Sequence, residues 1–133
     1  MKFKVCFRYI LIDSVTEDNW VASVTCFGKM SANALPRVGE RVYLCTDWVD
    51  PSKRFSIDDS DDDLEVVAVN HMVREGGMLE HEVWLGDRYY DIDNMDTDDK
   101  KDNAMAAYER VRQKVIPMLR RQGFKEFKWN KLP

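Results

Sequence analysis

"LEVVAVNHMVREGGMLEHEVWLG", residues 64–86, holds two β-rich runs on either side of Gly76-Gly77. β-Branched and aromatic side chains suit a pleated, half-buried surface, and glycine suits the positive-φ positions of a tight loop. If Glu75-Gly76-Gly77 is a three-residue loop, Val73 faces Leu79, His71 faces His81, Val69 faces Val83 and Val67 faces Leu85. That register gathers the aliphatic side chains on one face, with both histidines beside them. A slip of one residue would mix the faces. The stretch therefore predicts a β-hairpin.

The same period of two runs upstream. In "MKFKVCFRYILI", residues 1–12, Phe3, Val5, Phe7, Tyr9 and Leu11 share one face, with Lys2, Lys4 and Arg8 on the other. The turn-forming "DSVTEDN" follows, then Trp20, Ala22, Val24 and Cys26 alternate, which predicts a second hairpin. In "LPRVGE", residues 35–40, Pro36 fixes φ and Gly39 tolerates a positive φ, so the segment is a turn aiming a third strand. In that strand Val42 and Leu44 point one way, and Arg41 and Tyr43 the other. Residues 47–63, "DWVDPSKRFSIDDSDDD", are a polar excursion with Asp-Pro at 50–51 and an acidic run at 58–63, anchored by Trp48 and Phe55. "GDRYYDI", residues 86–92, is a sixth strand candidate.

Downstream the period changes. Thr97 is a helix cap, with Asp98 and Asp99 in the first turn. Ala104, Tyr108, Val111, Val115 and Met118/Leu119 make a stripe at helical spacing. Pro117 requires a kink or a restart, Gly123 a stop, and the closing "FKEFKWNKLP" a short strand or a docked tail. Strands followed by a helix give an α+β class: a small antiparallel β-barrel of five or six strands over about 1–92, then a C-terminal helix and basic tail over about 97–133, in one domain.

"LPRVGERV", the polar excursion and "LEVVAVNHMV…HEVWL", together roughly residues 35–85, resemble the strand-turn-strand core of SH3-like small β-barrels. They also resemble short uncharacterised bacterial and phage-borne β proteins with an LPRxGE-type turn. The resemblance implies a small-barrel scaffold and carries no catalytic motif.

The 133 residues carry a net charge of −4, unevenly placed. Residues 1–99 hold 10 Lys/Arg against 21 Asp/Glu, a net of −11, and residues 100–133 hold 10 against 3, a net of +7. No run approaches the roughly 20 apolar residues of a membrane span. Lys4 and Arg8 interrupt the only signal-like start, so the chain is read as cytoplasmic, without a membrane partner. Cys6, Cys26 and Cys45 are far apart and form no CxxC pair, so they are read as free, packed thiols.

Chemistry-bearing motifs are sparse. P-loop, GxGxxG, GxSxG and HExxH patterns are all missing from the sequence, and no cofactor is implied. His71 and His81 are the metal candidates, but zinc needs three or four ligands and no spacing supplies the others. Asp91, Asp93, Asp96, Asp98 and Asp99 invite a calcium reading, which fails because the EF-hand pattern puts Met95 at position 5 and Asp96 at position 6. Cations and aromatics interleave at the C-terminal end: Arg110, Lys114, Arg120, Arg121, Lys125, Lys128 and Trp129 are the candidate binding residues. Such a segment suits single-stranded nucleic acid, but an acidic body repels phosphate. The expectation is a non-enzymatic interaction or accessory module with a protein partner or self-association, and nucleic-acid binding through the basic end as the alternative.

Overall fold

The computed structural model describes residues 1–13, 20–44, 63–92 and 100–131. Seven strands form one mixed sheet: β1 Lys2–Ile12, β2 Trp20–Ser31, β3 Arg41–Tyr43, β4 Asp63–Val73, β5 Leu79–Leu85, β6 Arg88–Asp91 and β7 Phe124–Asn130. The strand order is β3-β4-β5-β1-β2-β7, with β6 also paired to β1. Helices α1 Lys100–Arg110 and α2 Ile116–Arg121 flank a π-helical turn at Val111–Val115. The α+β class stands. Among the described residues β3 and β7 are the two ends of an open path, not neighbours in a ring.

The hairpin forms in the register its sequence specifies near the loop: Val73 with Leu79, His71 with His81 and Val69 with Val83. Gly76 and Gly77 take φ of 83° and 80°, and the Arg74 amide donates to the Met78 carbonyl at 2.7 Å. Further down, a β-bulge at Val67 shifts the pairing, so Leu85 meets Val66 and not Val67. The bulge turns Val66 into the core and leaves Val67 51% exposed. Val73 and Leu79 are also exposed, because the hairpin tip outruns the core.

β1 is the centre of the sheet. It pairs antiparallel with β2 and parallel with both β5 and β6, where the sequence reading expected antiparallel ladders throughout. After β5 the chain steps sideways at Gly86-Asp87 without reversing, so β6 continues along β1 in the same direction. Arg8 fixes that step by donating from Nε and Nη2 to the Asp87 carboxylate at 3.0 and 2.7 Å. Flanked by strands on both sides, β1 buries Cys6 and Ile10 of its outer face as well as Phe3, Val5, Phe7, Tyr9 and Leu11 of its core face. The "LPRVGE" turn forms with Gly39 at φ 91°, and its Gly39 amide and Glu40 carbonyl bond Val66 of β4.

The helical stripe packs as its spacing predicts: Ala104, Val111, Val115 and Leu119 are buried and Tyr108 packs against them. Pro117 is accommodated by the π turn, where the Ile116 amide reaches the Val111 carbonyl five residues back, and α2 restarts with proline in its first turn. Gly123, at φ 103°, ends α2. The basic tail then becomes β7, antiparallel to β2, and Phe124 meets Phe7 edge-on at 5.2 Å. The acidic run 58–62 and loop 93–99, with Trp48, Phe55, Cys45 and Thr97, lie outside the described residues.

Candidate functional site

Cross-strand partners share a face of the sheet. Across the face turned away from the main core, Cys6 is paired with Phe27 and Trp84, Lys4 with Lys29 and Glu82, and Phe27 with Glu126. Four strands thus contribute to one surface with an aromatic centre. Phe27 and Trp84 meet edge to face at 6.4 Å. The Lys4 ammonium lies 4.5 Å from the Phe27 ring centre and the Lys128 ammonium 5.4 Å from it. The Trp84 indole N–H donates to Glu82, so the ring is held in place.

Two adjoining depressions on this surface share Lys4, Lys29 and Glu80. One continues to Lys2, Phe3, Met78, Leu79 and His81 at the hairpin tip, where it reaches the edge of the inner face. The other continues over Phe27 and Gly28 to Lys125 and Glu126. Two of the carboxylates are engaged by their own neighbours. Glu80 accepts from Arg74 at 2.8 Å, and that bond holds its carboxyl below the ordinary range. Glu126 lies 3.3 Å from Lys128. The groove that remains is lined by the ammonium groups of Lys2, Lys4, Lys29 and Lys125, with exposed Met78 and Leu79 at one end and Phe27 on its floor.

The C-terminal candidates do not converge. Lys125 and Lys128 lie on β7 at the groove. Trp129 stacks against Tyr108 at 4.7 Å. Arg110 points toward the core side, bonding the Tyr9 hydroxyl and lying over Tyr90, and so is not presented with the other candidate binding residues. Arg120 lies 4.9 Å over Phe127, while Lys114 and Arg121 are exposed on the helix. Lys4, Lys29, Phe27 and Trp84 were missed as site residues. Their signal was the second face of β1, β2 and β5, which reads as ordinary solvated alternation until the strand order is known.

Other chemistry is limited. Nδ1 of His71 and Nδ1 of His81 are 2.8 Å apart across the hairpin. Among the described residues no three His, Cys, Asp or Glu side chains gather as a metal site. Cys6 and Cys26 are buried free thiols, and burial pushes Cys6 up to about 12 and Cys26 higher still, so neither is a thiolate at neutral pH. Among the described residues no helix is long and apolar enough to cross a membrane. Compared with known proteins, the chain matches no family model, no curated protein and no solved structure.

Proposed function

We propose that the protein is a non-enzymatic interaction module whose groove at β1, β2 and β5 binds an acidic, apolar-bearing segment of a partner protein. The observation that carries this reading is the placement of Lys2, Lys4 and Lys29 around exposed Met78 and Leu79. Such a lining offers carboxylates several ammonium groups and offers an apolar side chain a place to leave water. Each apolar contact contributes about 25 cal/mol per Å² removed from water, and the lysines set the orientation.

A nucleic-acid strand is the second reading, because Lys4, Lys29, Lys125 and Lys128 surround an aromatic ring on a sheet face. Two features weigh against it. Phe27 already has lysines against its ring, so a base would have to displace them to stack. Glu82 and Glu126 stand on the same face and repel a continuous line of phosphates.

The test is a double charge reversal, Lys4→Glu with Lys29→Glu, compared with Lys114→Glu with Arg121→Glu on the helix. A protein partner recovered with the wild type and the helix variant, but lost with the groove variant, supports the reading. Binding of a labelled oligothymidylate that weakens steeply with salt and depends on Lys4 and Lys29 would favour nucleic acid instead.

A further inference from the structure

His71 and His81 are directly opposed on β4 and β5, and their rings meet edge to face with centres 5.0 Å apart. Their Nδ1 atoms are 2.8 Å apart, so one nitrogen carries a proton and the other accepts it. Two imidazole nitrogens already aimed at a common point are half of a metal site. In tetrahedral zinc, with Zn–N of about 2.0–2.1 Å, two ligand nitrogens are about 3.3 Å apart. Opening the pair by about 0.5 Å to admit an ion asks only for small ring rotations at the hairpin surface.

The pair is incomplete within one chain. Zinc in a closed site takes four protein ligands. Among the described residues no third His, Cys, Asp or Glu joins these two. Glu80 and Glu82 alternate to the opposite face of β5, and Glu80 is engaged by Arg74. What does lie beside the histidines on their own face is apolar and wet: Val73 is 73% exposed and Leu79 52% exposed. These two residues pair across the hairpin next to His71 and His81.

We infer that His71 and His81 form half of a zinc site that a second copy of the chain completes with the same two residues. In a two-fold arrangement one patch meets itself, so two histidines become four. Sheet faces pack about 10 Å apart, which leaves about 5 Å from each backbone to the midplane, the reach of an imidazole and its metal bond. Val73 and Leu79 of each chain then lose water around the ion. That apolar patch is far smaller than a stable dimer interface, so association depends on the metal. Leu79 and His81 also line the end of the lysine depression at the hairpin tip, but the inference needs only the paired imidazoles and not the ammonium groups.

The experiment is sedimentation velocity of the full chain with zinc chloride and with EDTA, together with calorimetric titration of zinc. The expected result is a monomer in EDTA, a dimer in zinc and one zinc bound per two chains, reversed by chelation. His71→Gln and His81→Gln should each lose the zinc-dependent shift while melting as the wild type does in EDTA. Cobalt(II) should give the intense visible bands of a tetrahedral site in the wild type and neither variant. Zinc bound at one per chain to a monomer, dimerisation that persists in EDTA, or no zinc binding by the folded protein would each overturn the inference.

Discussion

Arg110 Nη1 donates to the hydroxyl of Tyr9 at 3.1 Å, joining the C-terminal helix to the central strand of the sheet. The same guanidinium lies 4.5 Å over the ring of Tyr90, the residue of β6 paired with Leu11. A residue that counts as one more cation of a basic tail is thus a strut between helix and sheet. Arg110→Ala should destabilise by about 1–3 kcal/mol, combining a charge-assisted hydrogen bond and a cation–π contact. Arg121→Ala, at an exposed helix position, should change stability by under about 0.5 kcal/mol. Urea denaturation of the two variants checks the contrast, and equal effects would contradict it.

The bulge in β4 makes a second contrast between neighbours. Val66 is fully buried and Val67 is half exposed. Val66→Ala should cost about 2 kcal/mol through lost burial and a residual cavity, and Val67→Ala well under about 1 kcal/mol. The unbroken register predicts the reverse order. Thermal melts of the two variants decide between them.

Gly28 sits where β2 receives the turn after α2. A Cβ built there would lie 2.7 Å from the Gly123 carbonyl oxygen and 3.1 Å from Cα of Phe124. Both neighbours are backbone, so Gly28→Ala should force β7 away and cost about 1–3 kcal/mol. Gly39→Ala meets no atom within 4 Å but must adopt φ of 91°, so its smaller cost is local strain. Loss of protection of β7 amides from hydrogen exchange in the Gly28 variant, and not in the Gly39 variant, is the measurement.

Cys6 makes stability depend on alkaline pH. Burial raises its thiol from the ordinary 9.0 to about 12, with Glu82 adding to the shift. Between those values the unfolded chain releases the proton and the folded chain keeps it. A raised pKa means that this contribution is complete below about pH 9 and is lost as pH rises toward about 12. The wild type should therefore lose denaturant resistance faster than Cys6→Ala as pH rises from about 9 toward about 12. Parallel curves for the two proteins would show that Cys6 does not carry this dependence.

Alternation made the faces legible but not the neighbours. Phe3 through Leu11, Ala22 through Cys26, and the loop-proximal half of the 64–86 hairpin could be assigned because a period of two fixes which side chains meet the core. The helical stripe was legible for the same reason at a period of 3.6. Strand order was not, because Lys4 and Lys29 carry no mark in sequence that β1 will lie between β2 and β5. The parallel pairing of β6 depends on a sideways step at Gly86-Asp87 and on the Arg8 clamp, a contact between residues 79 positions apart. The bulge at Val67 escaped because valine suits either face equally. The groove escaped with the strand order, since its lysines come from three separate segments. The opposed histidines, by contrast, followed directly from a loop of three residues.

Site-directed photo-cross-linking tests the binding groove most directly. A benzophenone side chain replacing Lys29 in the groove, or Lys114 on the helix, is irradiated in cells that produce the full chain. A discrete protein adduct is expected from position 29, lost when Lys4→Glu is added, and none from position 114. Nuclease-sensitive adducts at position 29, or a protein adduct at 114 with none at 29, would contradict it.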